Sequence, residues 1–293
     1  MPSSLISLGA NLGNTLETMR AASRLFQDSF GGAEVRLSSI FRTPAVGGPG
    51  GQGDFLNAMA RVDHGLSVWE VWERIKRMET ELGRQRLRRW ESRRIDIDLI
   101  LHDQELVWTP HLKVPHPRMS MRTFVIRPAC EIAADLVDPV TGLTIRQLAS
   151  RLDSLQSPRI AIACSTESLR QQIQSKLESS PSVPLDGVSI HGCVDPVKWW
   201  SVWPEADLHM ACVEVPDPEN IQWEDYCLPW AVAMGFTKSA SVNEAVSGGT
   251  PTGGFGVRYL LPGTDIEWVC HEIQAARLAL RCPVQATGAS WVT

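Results

Sequence analysis

The chain is 293 residues long, beyond one ordinary domain, and two domains are expected. Its composition, 43% apolar and 21% charged with a net charge of −5, is that of a soluble globular protein, and no apolar run approaches the roughly 20 residues of a membrane span. The acidity counts against a general nucleic-acid binder, and seven cysteines without C-x-x-C spacing exclude a disulfide scaffold and argue against structural zinc.

At the N-terminus, MPSSLISLGANLGN holds neither the basic nor the apolar region of a secretion signal, so a cytoplasmic address is expected. SLISLGANLG reads as a strand ending at Gly9, then a turn through Ala10, Asn11 and Gly13. In NTLETMRAASRLFQDSF, Leu16, Met19, Ala22, Leu25 and Phe26 recur at a helical period. AEVRLSSIFRT returns as a strand and PAVGGPGGQGD is a Gly/Pro-rich loop. FLNAMARVDH predicts a strand and SVWEVWERIKRMETELG a long helix, whose Trp69 and Trp72 read as core or partner contacts. An arginine-rich loop follows, then RIDIDLILHDQELV as a strand running into a hairpin. The order β-α-β-β-α-β predicts an α+β unit over residues 1–150, a ferredoxin-like, mainly antiparallel sheet with packed helices.

TIRQLASRLDSLQSPR is expected to close that unit as a helix and a linker over 151–157. A second, α/β layer domain is expected over 158–293. Its strands are RIAIACS, GVSIHGC and LHMACVEV, and its helices are TESLRQQIQSKLESS, opening on a Thr or Ser cap, and TDIEWVCHEIQAARLAL, capped by Thr264 or Asp265.

Within RRIDIDLI, side chains alternate between two faces: Ile95, Ile97 and Leu99 point into a core and Asp96 and Asp98 point together the other way. Two carboxylates on one face repel each other. Either basic neighbours on an exposed face or a divalent cation accounts for them, and hard carboxylate oxygens suit Mg²⁺ shared with substrate phosphates. Just upstream, Arg84, Arg86, Arg88, Arg89, Arg93 and Arg94 fall within eleven residues. Overall the first 150 residues carry 19 Lys+Arg against 17 Asp+Glu, and the rest carry 9 against 16.

Taken in order, the Gly/Asn turn, FRTP, FLN, ETELGRQRLRRWESRRIDIDLI and VPHPRMSMRTF resemble the 6-hydroxymethyl-7,8-dihydropterin pyrophosphokinase family over about residues 5–148. The run closing on W-x-x-R-x-I-D-I-D is the most specific part of that likeness. The resemblance implies an enzyme of folate biosynthesis that moves the pyrophosphoryl group of ATP onto the pterin hydroxymethyl oxygen and releases AMP. Such chemistry rests on positioning and electrostatics. By resemblance, Asp96 and Asp98 hold two Mg²⁺ ions, Arg84, Arg89 and Arg93 clamp phosphates, and Trp90 helps close the site against water. Glu79, Arg84, Arg93 and Leu99 fall to the ATP pocket, with His116 and Arg122 near the phosphates. Phe55 and Phe124 sandwich the flat pterin while Thr43, Pro44 and Asn57 line its polar edge. The chain departs from the family at Glu91-Ser92, where Gly-Pro is usual, at Phe55, where Tyr is frequent, and at Pro117, where an aromatic residue is common.

The second half resembles no recognised family. SGGTPTGGFG, Ser247 to Gly256, lacks the Lys-Ser/Thr pair of a phosphate loop and reads as a mobile loop. Cys164, Cys193, Cys212, Cys227, Cys270 and Cys282, with His191, His209 and His271, fit no zinc spacing. Trp199, Trp200, Trp203, Trp223 and Trp230 read as core, or as an interface for a protein partner or a second copy. Two rival readings stand beside the enzyme. One is a kinase-like fold kept as a regulatory or ligand-binding module through its appended domain; the other is an RNA binder using the arginine loop, against which the acidity counts. A fusion with the next folate enzyme is disfavoured, because roughly 140 residues are few for a barrel of about 250.

Overall fold

The computed structural model describes residues 1–48, 50–83, 94–179, 186–192, 205–215, 223–236, 257–263 and 265–292, with only the backbone described for 223–226. Strand β1, Ser3–Ala10, runs through the middle of the first sheet. It pairs antiparallel with β4, Phe55–Asp63, on one side and with β5, Asp96–His102, on the other. Beyond β4 lie β2, Glu34–Leu37, and β3, Phe41–Thr43. This is the expected antiparallel sheet, with one change: the single strand expected over AEVRLSSIFRT is two. Ser38 breaks it, because its N–H donates to Met59 O and its Oγ accepts from Met59 N, fastening the break to β4.

Helices α1, Thr15–Ser29, and α2, Val68–Glu81, cover one face of this sheet. Both start on side chains that satisfy otherwise unpaired backbone donors: Asn14 accepts from Glu17 N, and Ser67 and Glu70 form a reciprocal capping box. Met19, Phe26, Val71, Ile75 and Met78 from the helices meet Ile6, Leu8, Leu56, Ala58, Ile97 and Leu99 from the strands. Leu99 is thus a core residue and its side chain has no place on the wall of an ATP pocket.

The other face is covered at one end by α3, Thr123–Ala133, and α4, Ile145–Ser154. Residues 151–154, expected in the linker, are the last turn of α4. Behind these helices stands a parallel sheet of β8, Ile160–Cys164, β9, Val188–Gly192, β10, Leu208–Glu214, and β11, Val257–Gly263, in the order β11-β10-β8-β9. It carries α5, Glu167–Glu178, α6, Trp223–Ala233, and α7, Ile266–Leu280. One apolar cluster runs from Leu5, Met59 and Ile100 through Val125, Ile126, Ala129, Ile145 and Leu148 to Ile160, Ile162, Leu208 and Ile273. The two halves therefore share a core. The chain then returns to the first sheet: β12, Gln285–Ala286, pairs with β3, Thr287 donates twice to Ile40 O, and Trp291 Nε1 donates to Ser38 O at 2.8 Å. A short hairpin, β6 Val107–Trp108 with β7 Lys113–Val114, leads back toward the site. Trp230 is buried, Trp69 is exposed with its ring edge-on to Trp72, and Trp199, Trp200 and Trp203 lie outside the described residues.

At the far end of β1, buried Ser4 lies 2.8 Å from His64 Nε2 and 2.9 Å from His102 Nδ1. His64 Nδ1 accepts from Leu66 N, so its proton sits on Nε2 and the chain of donors runs His64 to Ser4 to His102. Burial holds both rings below their ordinary pKa, and for His64 the neighbouring His102 adds to the effect. In the unfolded chain both take up a proton near pH 6.5; in the fold they resist it, so their contribution is complete above about pH 6.5 and is lost as pH falls below it. Urea unfolding at stepped pH is expected to show stability declining from about pH 6.5 downward, less steeply in a His64→Phe/His102→Phe variant. Parallel curves for both proteins would contradict this.

Candidate active site

The site is built on the face of the first sheet that α1 and α2 do not cover. Asp96 and Asp98 alternate with buried Ile97 and Leu99 along β5. Register places Asp96 opposite Gly9 and Asp98 opposite Ser7 on β1, and Gly9 in turn opposite Asn57 on β4. Directly paired residues share a face, so the two carboxylates, Gly9 and Asn57 form one row. A Cβ at Gly9 would lie 3.3 Å from Asn57 Oδ1 and 3.9 Å from the Phe55 ring; glycine keeps the row open. Asn57 Nδ2 donates to Thr43 Oγ1 at 2.8 Å, which fixes its amide on buried Thr43. Glu79, expected in the ATP pocket, is buried behind this row and accepts from Ile97 N at 3.0 Å. It braces β5 and does not line the cavity.

The segment after β7 brings the positive charge. His116 N donates to Ile100 O, and His116 Nδ1 accepts from Arg118 N at 3.1 Å, leaving the ring proton on Nε2. Burial, reinforced by the charges of Arg122 and Arg118, holds His116 well below the ordinary histidine range. Arg122 is lowered to about 10 by burial and by Arg118, and its guanidinium lies 5.4 Å from the centre of the Phe124 ring. Burial works against the charge of Arg118 too, but Tyr259 and Glu272 outweigh it and the group is held firmly protonated.

Tyr259 and Glu272 belong to the second half. Glu272, on the buried side of α7, accepts from Arg118 Nη1 at 3.0 and 3.1 Å and from Tyr259 Oη at 2.6 Å. Thr123 Oγ1 donates to Cys282 O at 2.7 Å, fastening the start of α3 to the end of the second half. A cavity of about 620 Å³ results. Its wall joins Asp96, Asp98, His116, Arg118 and Arg122 to Thr43, Pro44, Phe55, Asn57 and Phe124. Tyr259, Leu260, Pro262, Trp268 and Glu272 close it from the second half.

The structure thus brings together seven of the expected residues, Thr43, Pro44, Phe55, Asn57, Asp96, Asp98 and Phe124, together with His116 and Arg122. It leaves Glu79 and Leu99 off the wall. Arg84, Arg89, Trp90 and Arg93, with the departure at Glu91-Ser92, lie outside the described residues, as does the stretch Ser247 to Gly256. Arg118, Tyr259 and Glu272 were not anticipated. Arg118 had one sequence signal, a basic residue two places after His116; the other two had none.

Among the described residues no cluster of three or more His, Cys, Asp or Glu could hold a metal alone. Asp96 and Asp98 are a donor pair suited to a hard cation that takes its remaining ligands from water and phosphate, which is the coordination habit of Mg²⁺.

Paired carboxylates, two arginines and two phenylalanines thus line one cavity. The sequence model of 7,8-dihydro-6-hydroxymethylpterin-pyrophosphokinase (HPPK) matches residues 5–134. A 2-amino-4-hydroxy-6-hydroxymethyldihydropteridine pyrophosphokinase of Haemophilus influenzae is 37% identical over 139 residues, covering 47% of this chain and 86% of that one. The protein of the same name from Pseudomonas aeruginosa is 30% identical over 166 residues, covering 57% and 94%. Among solved structures, a triple mutant of Plasmodium falciparum HPPK-DHPS overlaps 80% of this chain and 59% of its own at 11% identity and a TM-score of 0.42. The chain belongs to the HPPK family and is a pyrophosphokinase of folate biosynthesis.

The environment of His116 gives a direct expectation. Its ring resonances in an NMR titration should stay flat from about pH 8 to about pH 6, because the folded pKa lies well below the ordinary value near 6.5. An inflection near pH 6.5 would show the ring to be charged within the site.

Proposed function

We propose that the chain transfers the pyrophosphoryl group of ATP to the hydroxymethyl oxygen of 6-hydroxymethyl-7,8-dihydropterin and releases AMP, with two Mg²⁺ ions at Asp96 and Asp98. The observation that carries the reading is one cavity whose wall holds that carboxylate pair together with His116, Arg118 and Arg122 and with Phe55, Asn57, Thr43 and Phe124. Bound Mg²⁺ would supply positive charge to the phosphate oxygens and orient the triphosphate. The remaining work falls to the chain. Phe55 and Phe124 stack on the two faces of the pterin, and Asn57, its amide set by Thr43, reads the polar edge alongside Pro44. The pterin oxygen attacks the β-phosphorus as the bond from that phosphorus to the α-bridging oxygen breaks; AMP leaves with that oxygen and the hydroxyl proton is released. Neutral His116 offers its Nε2–H, and Arg118 and Arg122 offer fixed positive charge, to the phosphate oxygens on which charge builds. Arg84, Arg89, Arg93 and Trp90 are assigned by family resemblance to clamping the phosphates and closing the site.

In this reading residues 1–150 carry the chemistry and residues 158–293 supply one wall of its site. A cytoplasmic address belongs to the same proposal, supported by the free thiols of Cys130, Cys164, Cys212, Cys227, Cys270 and Cys282. No helix among the described residues is long and apolar enough to cross a membrane.

The test is AMP release from ATP and Mg²⁺ with and without 6-hydroxymethyl-7,8-dihydropterin. Pterin-dependent AMP is expected, and Asp98→Ala should cut the rate by about a hundredfold or more at unchanged melting temperature. Equal rates in variant and wild type would sink the metal assignment. Gly9→Ala, whose added methyl presses on Asn57 and Phe55, should raise the KM for pterin severalfold and leave that for ATP alone; the reverse pattern would misplace the slot.

A further inference from the structure

Glu272 is only 3% exposed, on the buried side of α7, where its neighbours Val269, Ile273, Ala275 and Ala276 are apolar. A carboxylate in such surroundings is costly unless its oxygens are matched by donors. Here they are matched from both halves of the chain: Arg118 Nη1 bridges both oxygens, and Tyr259 Oη donates to Oε2 at 2.6 Å from β11. Tyr259 is itself buried and set by the parallel register of β11 on β10, so the carboxylate has little freedom. Arg118 inherits that rigidity. It stands on the turn between His116 and Arg122 and faces the same cavity as Asp98.

We propose that Glu272, locked by Tyr259, is a positioning residue for Arg118, through which the second half of the chain sets the geometry of the triphosphate-binding end of the cavity. This rests on the pyrophosphokinase reading above. An arginine on a turn has several rotatable bonds, and a fixed carboxylate behind it removes that freedom before an anion arrives. The pair also keeps Arg118 firmly charged where burial would work against it. A simple tie between two packed bodies would need none of this at the cavity wall, where the apolar cluster already joins them.

The test uses the full chain and equilibrium binding of α,β-methylene-ATP with Mg²⁺, which does not depend on turnover. Glu272→Gln keeps the shape of the side chain and removes its charge; it should weaken binding about tenfold, with Tyr259→Phe weaker in the same direction by a smaller factor. Arg118→Gln should lose at least as much, and adding Glu272→Gln to it should cost nothing further, because one residue acts through the other. A structural role would instead lower the melting temperature and leave binding by the folded protein unchanged. Wild-type affinity in both Glu272→Gln and Tyr259→Phe, or losses that multiply in the double variant, would overturn the proposal. So would wild-type protein that does not bind the analogue. AMP release is read separately: binding that behaves as stated in a protein that forms no pterin-dependent AMP would refute the reaction and keep the positioning role.

Discussion

Helix α3 is apolar on two flanks, and the rest of the molecule is arranged to cover both. Val125, Ile126, Ala129 and Ala133 are buried among Leu5, Met59 and Ile100 of the first sheet and residues of α4 and the second sheet. A two-sided apolar helix cannot sit at a surface, because each buried aliphatic side chain gains roughly 1.5–3 kcal/mol over its exposed state. The second half is therefore joined to α3 through one apolar cluster, with α7 in contact with the helix. Its placement behind α3 brings α7 and β11 to the open part of the first sheet. The cavity exists because that sheet's second face is covered at one end only.

Within the cavity, charge is organised by burial. Asp96, Asp98, Glu272, Arg118 and Arg122 line one cavity, half-buried or buried, so their mutual fields are less screened than in open water. Arg118 is held charged by carboxylate and phenol neighbours, while Arg122 beside it is depressed to about 10. His116, held well below the ordinary histidine range mainly by burial, presents its Nε2–H as a donor.

What could be read from sequence follows from the range of the interactions involved. The alternation of Ile97 and Leu99 with Asp96 and Asp98 is local, and it gave the two faces of β5 correctly. Phe55, Asn57, Thr43 and Phe124 were reached only through the order of motifs along the chain, which resemblance supplies and periodicity does not. The interruption at Ser38 was invisible because its cause is Met59, 21 residues away. The pairing of Arg118 with Glu272 spans 154 residues and leaves no local trace. Glu272 itself reads as one more acidic position in an ordinary helix. Leu99 was misplaced for a simpler reason: its side chain follows the strand period into the core, whatever the role of its neighbours.

The central claim is that two halves over one core make one site. Hydrogen exchange read by mass spectrometry in rising urea tests it, following peptides from β1 and β5 and from β8 and β10 in the same sample. One shared midpoint for both sheets, coinciding with loss of pterin-dependent AMP formation, is the predicted result. A second sheet that opens at lower urea while the first stays protected and fully active would contradict it.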